Sequence, residues 1–265
     1  MTYETLLFEM ADGVAVVTLN RPEARNALNV KMREELGELV LRLRDDDAVK
    51  SVLLRGAGEA FCAGGDVKFL REAGGSAPAT RARVRAAHVW SPELAMLEKP
   101  VIAAVDGPAY GGGFSLALMA DFVLATPEAR FCCVQARMGM VADLSAMYFL
   151  PRIVGLQTAK EICLTGREIS AEEALDYGIL YGIYPRAELM AAAMDVAGRF
   201  RVASTEGIGM AKQILNQAFH LDQRALVELE AYSQSVAMET DYHHVAVRRF
   251  LDKKPLEFAW ESFER

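Results

Sequence analysis

Two glycine-rich stretches carry the strongest chemical signal in the chain. Ala60-Phe61-Cys62-Ala63-Gly64-Gly65-Asp66 follows an apolar run at Val52, and Asp106-Gly107-Pro108-Ala109-Tyr110-Gly111-Gly112-Gly113 follows Val101 to Val105. Glycine lets the main chain approach a ligand closely, so an amide N–H from each stretch could be aimed at the same oxygen. The second stretch leads directly into the apolar segment Phe114 to Ala120, whose helical start adds unpaired N–H groups and the positive end of a helix dipole. Taken singly, each stretch is also ordinary turn punctuation. Neither a G-x-G-x-x-G fingerprint nor a phosphate loop ending in Gly-Lys-Ser/Thr is present, which removes the two usual nucleotide readings.

Proton chemistry needs a side chain that ionises, and Asp143 is the first candidate. It lies in the largely apolar segment Met138 to Ser145, just before a helix, where it can be a general base, a helix N-cap or both. An apolar surround would raise its pKa. His88, in Ala86-Ala87-His88-Val89-Trp90, reads on its own as a packed helix residue. His220, His243 and His244 lie in C-terminal helices without ligand spacing, so no metal site is expected. The cysteines Cys62, Cys132, Cys133 and Cys163 lack C-x-x-C spacing and read as reduced, buried thiols in a cytoplasm-like compartment.

The elements that must position these groups alternate between strand and helix. Leu6 to Met10 and Val14 to Leu19 flank Ala11-Asp12-Gly13 as a hairpin, and Asn29 caps a helix with apolar residues at Met32, Leu36, Leu39, Val40 and Leu43. Ser51 to Leu54 and Val101 to Val105 are strands, with a helix between them that stops before Lys99-Pro100. Phe122 to Thr126 and Ile179 to Tyr184 are shorter strands. This order predicts βα units and a largely parallel sheet. Ser170-Ala171-Glu172-Glu173 is a capping box, and Gly178 is placed to end its helix. Arg186 to Phe200, Thr205 to Phe219, Asp222 to Thr240 and Tyr242 to Leu251 complete a helical last third.

A formal charge of -7 over 265 residues, with no Lys/Arg run, excludes a nucleic-acid binder. Apolar segments are broken by charge before membrane-spanning length, and the N-terminus has no leader pattern, so no membrane partner and a cytoplasmic location are expected.

One ordered set of motifs goes further. Arg21-Pro22-Glu23-Ala24-Arg25-Asn26-Ala27-Leu28, Phe61-Cys62-Ala63-Gly64-Gly65-Asp66, Lys99-Pro100-Val101-Ile102-Ala103-Ala104-Val105-Asp106-Gly107, Gly111-Gly112-Gly113, Leu164-Thr165-Gly166-Arg167 and Phe250 together resemble the crotonase (enoyl-CoA hydratase/isomerase) superfamily. The resemblance implies an α/β fold: a ββα spiral core over residues 1–195 and a C-terminal helical region over 196–265 used in trimer packing. It implies an acyl-CoA thioester as substrate, no cofactor beyond that CoA, and a homotrimer or dimer of trimers. By position the oxyanion amides are those of Gly65 and Gly112, and the CoA-binding segments contribute Ala24, Arg25, Ala63, Gly64, Asp66, Val67 and Lys68. Tyr110, Ser115 and Gln135 fall around the acyl group, as does Tyr148, with core packing the alternative for the two tyrosines. The variable segment Phe69 to Trp90 shapes the pocket.

Hydratases of this family carry two carboxylates, at positions held here by Ser115 and Gln135. Neither residue ionises near neutral pH, so an ordinary two-glutamate hydratase is not expected. The segment Gly139 to Gly155 is instead similar to dienoyl-CoA isomerases and ring-rearranging phenylacetate-pathway isomerases, which place one catalytic Asp at the position of Asp143. His88 and Asp143 also fall where the superfamily's aryl-CoA dehalogenase keeps its His and nucleophilic Asp, although Gln135 replaces an aromatic residue of that enzyme. The expected reaction is double-bond isomerisation. A hydrolytic or dehalogenating enzyme and a non-catalytic acyl-CoA-binding homologue are the alternatives.

Overall fold

The computed structural model describes residues 2–66 and 76–260. Its strands are Leu6–Ala11 (β1), Val14–Leu19 (β2), Ser51–Gly56 (β3), Val101–Val105 (β4), Pro108–Tyr110 (β5), Phe122–Ala125 (β6), Arg130–Cys132 (β7), Glu168–Ser170 (β8) and Gly182–Ile183 (β9). The larger sheet has the order β1-β2-β3-β4-β6-β9, with β1 and β2 antiparallel and every later pairing parallel. Asp12 and Gly13 both take positive φ, 49° and 80°, as a two-residue turn between twisted strands requires.

The continuous apolar runs of β3 and β4 have a direct cause, because alternate side chains meet different helical layers. The first helix, Val30–Asp45 (α1), buries Leu36, Leu39, Val40 and Leu43 in one cluster with Val52, Leu54, Val101 and Ala103. On the opposite face Leu53, Ile102 and Ala104 pack with Leu189, Ala193, Val196 and Ala197. Asn29 caps α1, its Oδ1 accepting from Met32 N at 2.8 Å.

The remaining helices are Ala77–His88 (α2), Ser91–Ala95 (α3), Gly112–Leu118 (α4), Ala146–Val154 (α5), Leu156–Thr165 (α6), Ala171–Asp176 (α7), Arg186–Arg199 (α8), Thr205–Gln217 (α9), Gln223–Met238 (α10) and Asp241–Leu251 (α11). Helix α8 runs through residue 195. The capping box is present at Ser170 and Glu173, and Gly178 has φ 77° just beyond the end of α7.

Several expectations need adjustment. The single helix before Lys99 is two, α2 and α3, and the strand expected over Ile179 to Tyr184 shrinks to two residues. Asp222 and Thr240 stand outside helices as caps: Asp222 accepts from the Arg224 and Ala225 amides, and Thr240 from that of His243. A second sheet, β5-β7-β8, gives no periodic signal because its strands are three residues each. Cys62, Cys132 and Cys133 are buried thiols, whereas Cys163 is only half-buried. Helices α10 and α11 bury no residue and expose Tyr232, Val236, Phe250 and Leu251. Among the described residues, no helix is long and apolar enough to cross a membrane.

Candidate active site

The two glycine turns are joined by main-chain hydrogen bonds. Cys62 N donates to Pro108 O at 3.1 Å and Tyr110 N to Cys62 O at 2.9 Å, a parallel bridge between Cys62 and Ala109. The Arg21 to Leu28 segment seals the other side, with Ala63 N donating to Arg25 O (2.9 Å), Leu28 N to Gly64 O (2.7 Å) and Asp66 N to Leu28 O (3.3 Å). Contact between the turns is tight at Gly64, which has φ 95°. A Cβ there would stand 2.7 Å from Tyr110 O and 3.4 Å from Gly112 N. A Cβ on Gly113 would overlap Cys62 O outright. Among the described residues, no acceptor is paired with the amide of Gly65 or of Gly112. Two adjoining turns thus present unspent donors, the requirement for holding a developing oxyanion.

Asp143 is held by three residues. Its Oδ2 lies 3.1 Å from His88 Nε2, at the end of α2, and its Oδ1 accepts from Gln135 Nε2 at 3.1 Å. Gln135 is buried in a 3-10 turn, Val134–Met138. Ser115 Oγ, fully buried in α4, donates to the Asp143 carbonyl at 2.8 Å and lies 3.2 Å from Gly111 O. The two positions that carry carboxylates in family hydratases therefore both grip Asp143 here, Gln135 by the side chain and Ser115 by the main chain.

The N-cap reading of Asp143 is corrected by this geometry. The residue preceding α5 is Ser145, and no side chain caps that helix. Expected desolvation is present as well but does not decide the charge. Burial pushes the Asp143 carboxyl up, and the hydrogen bond and charge of His88, the Gln135 amide and the Arg33 guanidinium together outweigh it, leaving the group below the usual carboxylate range. Asp143 is thus an anion at neutral pH, with 41% of its side chain accessible. Replacing His88 with Gln removes a charge that favours the carboxylate, so the acid limb of any Asp143-dependent activity is expected to move to higher pH. A pH–rate profile of His88→Gln beside wild type checks this.

Strain lies next to this aspartate. Leu144 and Ser145 both take left-handed backbone, φ 49° and 65°, and Leu144 Cδ1 would stand 3.0 Å from a Cβ on Gly112. Left-handed backbone costs a non-glycine residue about 1–2 kcal/mol. Ser145→Gly is expected to stabilise the fold by up to about 1 kcal/mol, since glycine's greater unfolded-state entropy offsets part of the relief. Urea denaturation measures it.

The other expected site residues are less uniform. Ala24 is half-buried and the Arg25 side chain is exposed, with φ 49° at Arg25 turning the chain toward Ala63. Asp66 is braced by Arg21, whose Nη1 lies 3.0 Å from Asp66 Oδ2 and also donates to Ala27 O. The Tyr110 hydroxyl is paired with Glu168, and burial pushes it up to about 12, so it is the Tyr110 carbonyl that meets the glycine turn. Tyr148 donates to Asn216 O at 2.9 Å and stacks on His220. Val67 and Lys68 lie outside the described residues, as does much of the segment Phe69 to Trp90. Sequence reasoning missed Arg33, a basic residue next to the buried Met32 in α1, whose guanidinium reaches the Gly65 turn.

Unspent amides in adjoining turns lie near one ionised carboxylate and a histidine, an arrangement with the chemistry to hold an anion against the main chain. The chain belongs to the enoyl-CoA hydratase/isomerase family, which its residues 9–262 match, and is an acyl-CoA enzyme of the crotonase superfamily. It is 33% identical over 258 residues to the 1,2-epoxyphenylacetyl-CoA isomerase of Escherichia coli (strain K12), covering 96% of this chain and 98% of the relative. It is 31% identical over 242 residues to 4-chlorobenzoyl coenzyme A dehalogenase-2 of Arthrobacter sp, covering 91% and 87%. The crystal structure of an enoyl-CoA hydratase/isomerase from Cupriavidus metallidurans CH34 superposes with a TM-score of 0.94 at 35% identity, covering 100% of this chain and 99% of that one.

Proposed function

We propose that this protein catalyses double-bond migration in an acyl-CoA thioester, with Asp143 as its acid/base and the Gly65 and Gly112 amides as its oxyanion pocket. The observation that carries the reading is an Asp143 carboxylate kept anionic and oriented by His88 and Gln135, beside the glycine turns. The carboxylate takes a proton from one carbon of the acyl group, the thioester oxygen gathers the charge as an enolate, and Asp143 returns the proton to a different carbon. One base is enough, which accommodates Ser115 and Gln135 in place of the hydratase carboxylates. No cofactor beyond the CoA of the substrate is required. Arg25 and Lys68 are placed in sequence to meet the nucleotide end of CoA, and the apolar faces of α10 and α11 suit packing between subunits of a trimer.

The 3.1 Å contact of His88 with Asp143 favours a second reading, hydrolytic attack on an aryl- or acyl-CoA. In the aryl case an Asp143 oxygen bonds to the ring carbon, chloride leaves with the carbon–chlorine bonding pair, and His88 takes a proton from the water that hydrolyses the resulting ester. Incubating 2-enoyl-, 3-enoyl-, dienoyl- and chloroaryl-CoA thioesters in deuterated, 18O-labelled water separates the readings. Deuterium at carbon with a moved double bond supports the isomerase. Labelled oxygen in the product, or free chloride, replaces it with the hydrolytic reading, and binding without turnover replaces both with a non-catalytic role.

A further inference from the structure

Arg33 is a charged residue whose position the chemistry above leaves unexplained. Its backbone N–H donates to Asn29 O, which sets it in the first turn of α1, next to the fully buried Met32. From there the side chain crosses to the first glycine turn, where Nη2 would stand 3.5 Å from a Cβ on Gly65 and Nε is out of contact with solvent. Arg33 also walls a cavity of about 500 Å3 between α1 and α2, opposite Ala87 and Val89, the chain neighbours of His88. A guanidinium is weakly hydrated for a cation and stays charged at any accessible pH, so it suits a position partly withdrawn from water.

Burial pushes the Arg33 guanidinium down from its usual range, and among the described residues Asp143, then Cys62 and Asp66, act against that. Burial pushes the Cys62 thiol up to about 12, so that group is neutral and the working charges are the two aspartates. Asp66 is already braced by Arg21. The groups facing Asp143 are His88 from α2, Gln135 from the 3-10 turn and Arg33 from α1. Within that set the Arg33 guanidinium supplies a charge that does not depend on pH.

We propose that Arg33 is a positioning residue of this active site, its guanidinium packed against the Gly65 turn, where it sets a fixed positive charge beside the oxyanion pocket and within the field of the Asp143 carboxylate. The inference rests on the role of Asp143 proposed above. Two negative charges, the carboxylate and then the enolate oxygen, occur in this small space during the reaction, and a fixed cation beside both lowers the cost of each.

The test uses full-length Arg33→Gln and Arg33→Lys. The Asp143 carboxyl is followed by carbon NMR against pH, assigned with Asp143→Asn, and kcat and KM are measured across the same range. In Arg33→Gln the Asp143 signal is expected to titrate at higher pH than in wild type, the acid limb of kcat to move with it, and kcat to fall about tenfold or more with KM little changed. Arg33→Lys, which keeps the charge, should recover most of both. Superimposable Asp143 titrations in wild type and Arg33→Gln overturn the proposal, and so does a loss in Arg33→Gln seen only as a lower urea midpoint. If Arg33→Gln does not fold, Arg33→Lys with an Asp143 titration moved to higher pH, despite its retained charge, overturns it equally. A titration that moves in a protein that isomerises no thioester supports the Arg33–Asp143 coupling and sinks the isomerase assignment instead.

Discussion

Asp143→Asn is expected to slow double-bond migration by about 100- to 10,000-fold, the usual worth of a positioned acid/base, while thioester binding changes little. The amide has nearly the carboxylate's shape, and its oxygen can still accept from Gln135 Nε2, so the local packing persists. What it cannot do is take a proton from carbon at neutral pH. The main-chain carbonyl of residue 143 still accepts from Ser115, keeping the segment in register with α4. Steady-state kinetics paired with calorimetric binding of an unreactive CoA thioester separates the two quantities. Retained turnover would remove Asp143 from the chemistry, and lost binding would make it a structural residue.

A second large loss is expected from Gly64→Ala, which adds a single methyl group and removes no side chain that carries a proton. That methyl would stand 2.7 Å from Tyr110 O, and the glycine's φ of 95° is one that an alanine adopts only with strain. The colliding oxygen belongs to the main chain, so no rotamer change relieves the contact and the two turns must shift apart. Removal of one oxyanion donor costs about 100- to 1000-fold in rate, and a misdirected amide should cost a comparable amount. The loss should appear in kcat more than in KM, because the pocket acts on charge that develops only after binding. A Gly64→Ala enzyme with unchanged kcat would show that the amides of Gly65 and Gly112 do not work as a pair.

The parts of this architecture legible in the sequence are those with a local physical cause. Val101 to Val105 reads as a buried parallel strand because five apolar residues in a row need apolar neighbours on both faces, and Ser170 with Glu173 reads as a helix start because each satisfies the other's main chain. The glycine turns read as places of close main-chain approach for a similar reason. What stayed hidden depends on residues distant in sequence. Ser115 and Gln135 look like losses relative to the hydratase pattern until the fold brings both onto Asp143. The expected upward shift of the Asp143 carboxyl follows from its apolar neighbours in the chain, and it is overturned by His88, 55 positions earlier in the sequence, and by Arg33. Arg33 gave no signal because a lone arginine near the start of a helix ordinarily faces water.

The bridge between Cys62 and Ala109 has a consequence for how enzymes of this build diverge. In the reaction proposed above the oxyanion is held by peptide N–H groups, which every residue except proline supplies, so substitutions other than to proline leave those donors in the chain. The groups proposed to move the proton and those that orient them, by contrast, are side chains, Asp143 and His88 among the first and Gln135 and Ser115 among the second, each replaceable by a single codon change. Inheritance therefore conserves the means of stabilising a thioester enolate while leaving the proton inventory around it open to revision, and one ancestral scaffold can be retuned from one thioester reaction to another without rebuilding its most demanding part.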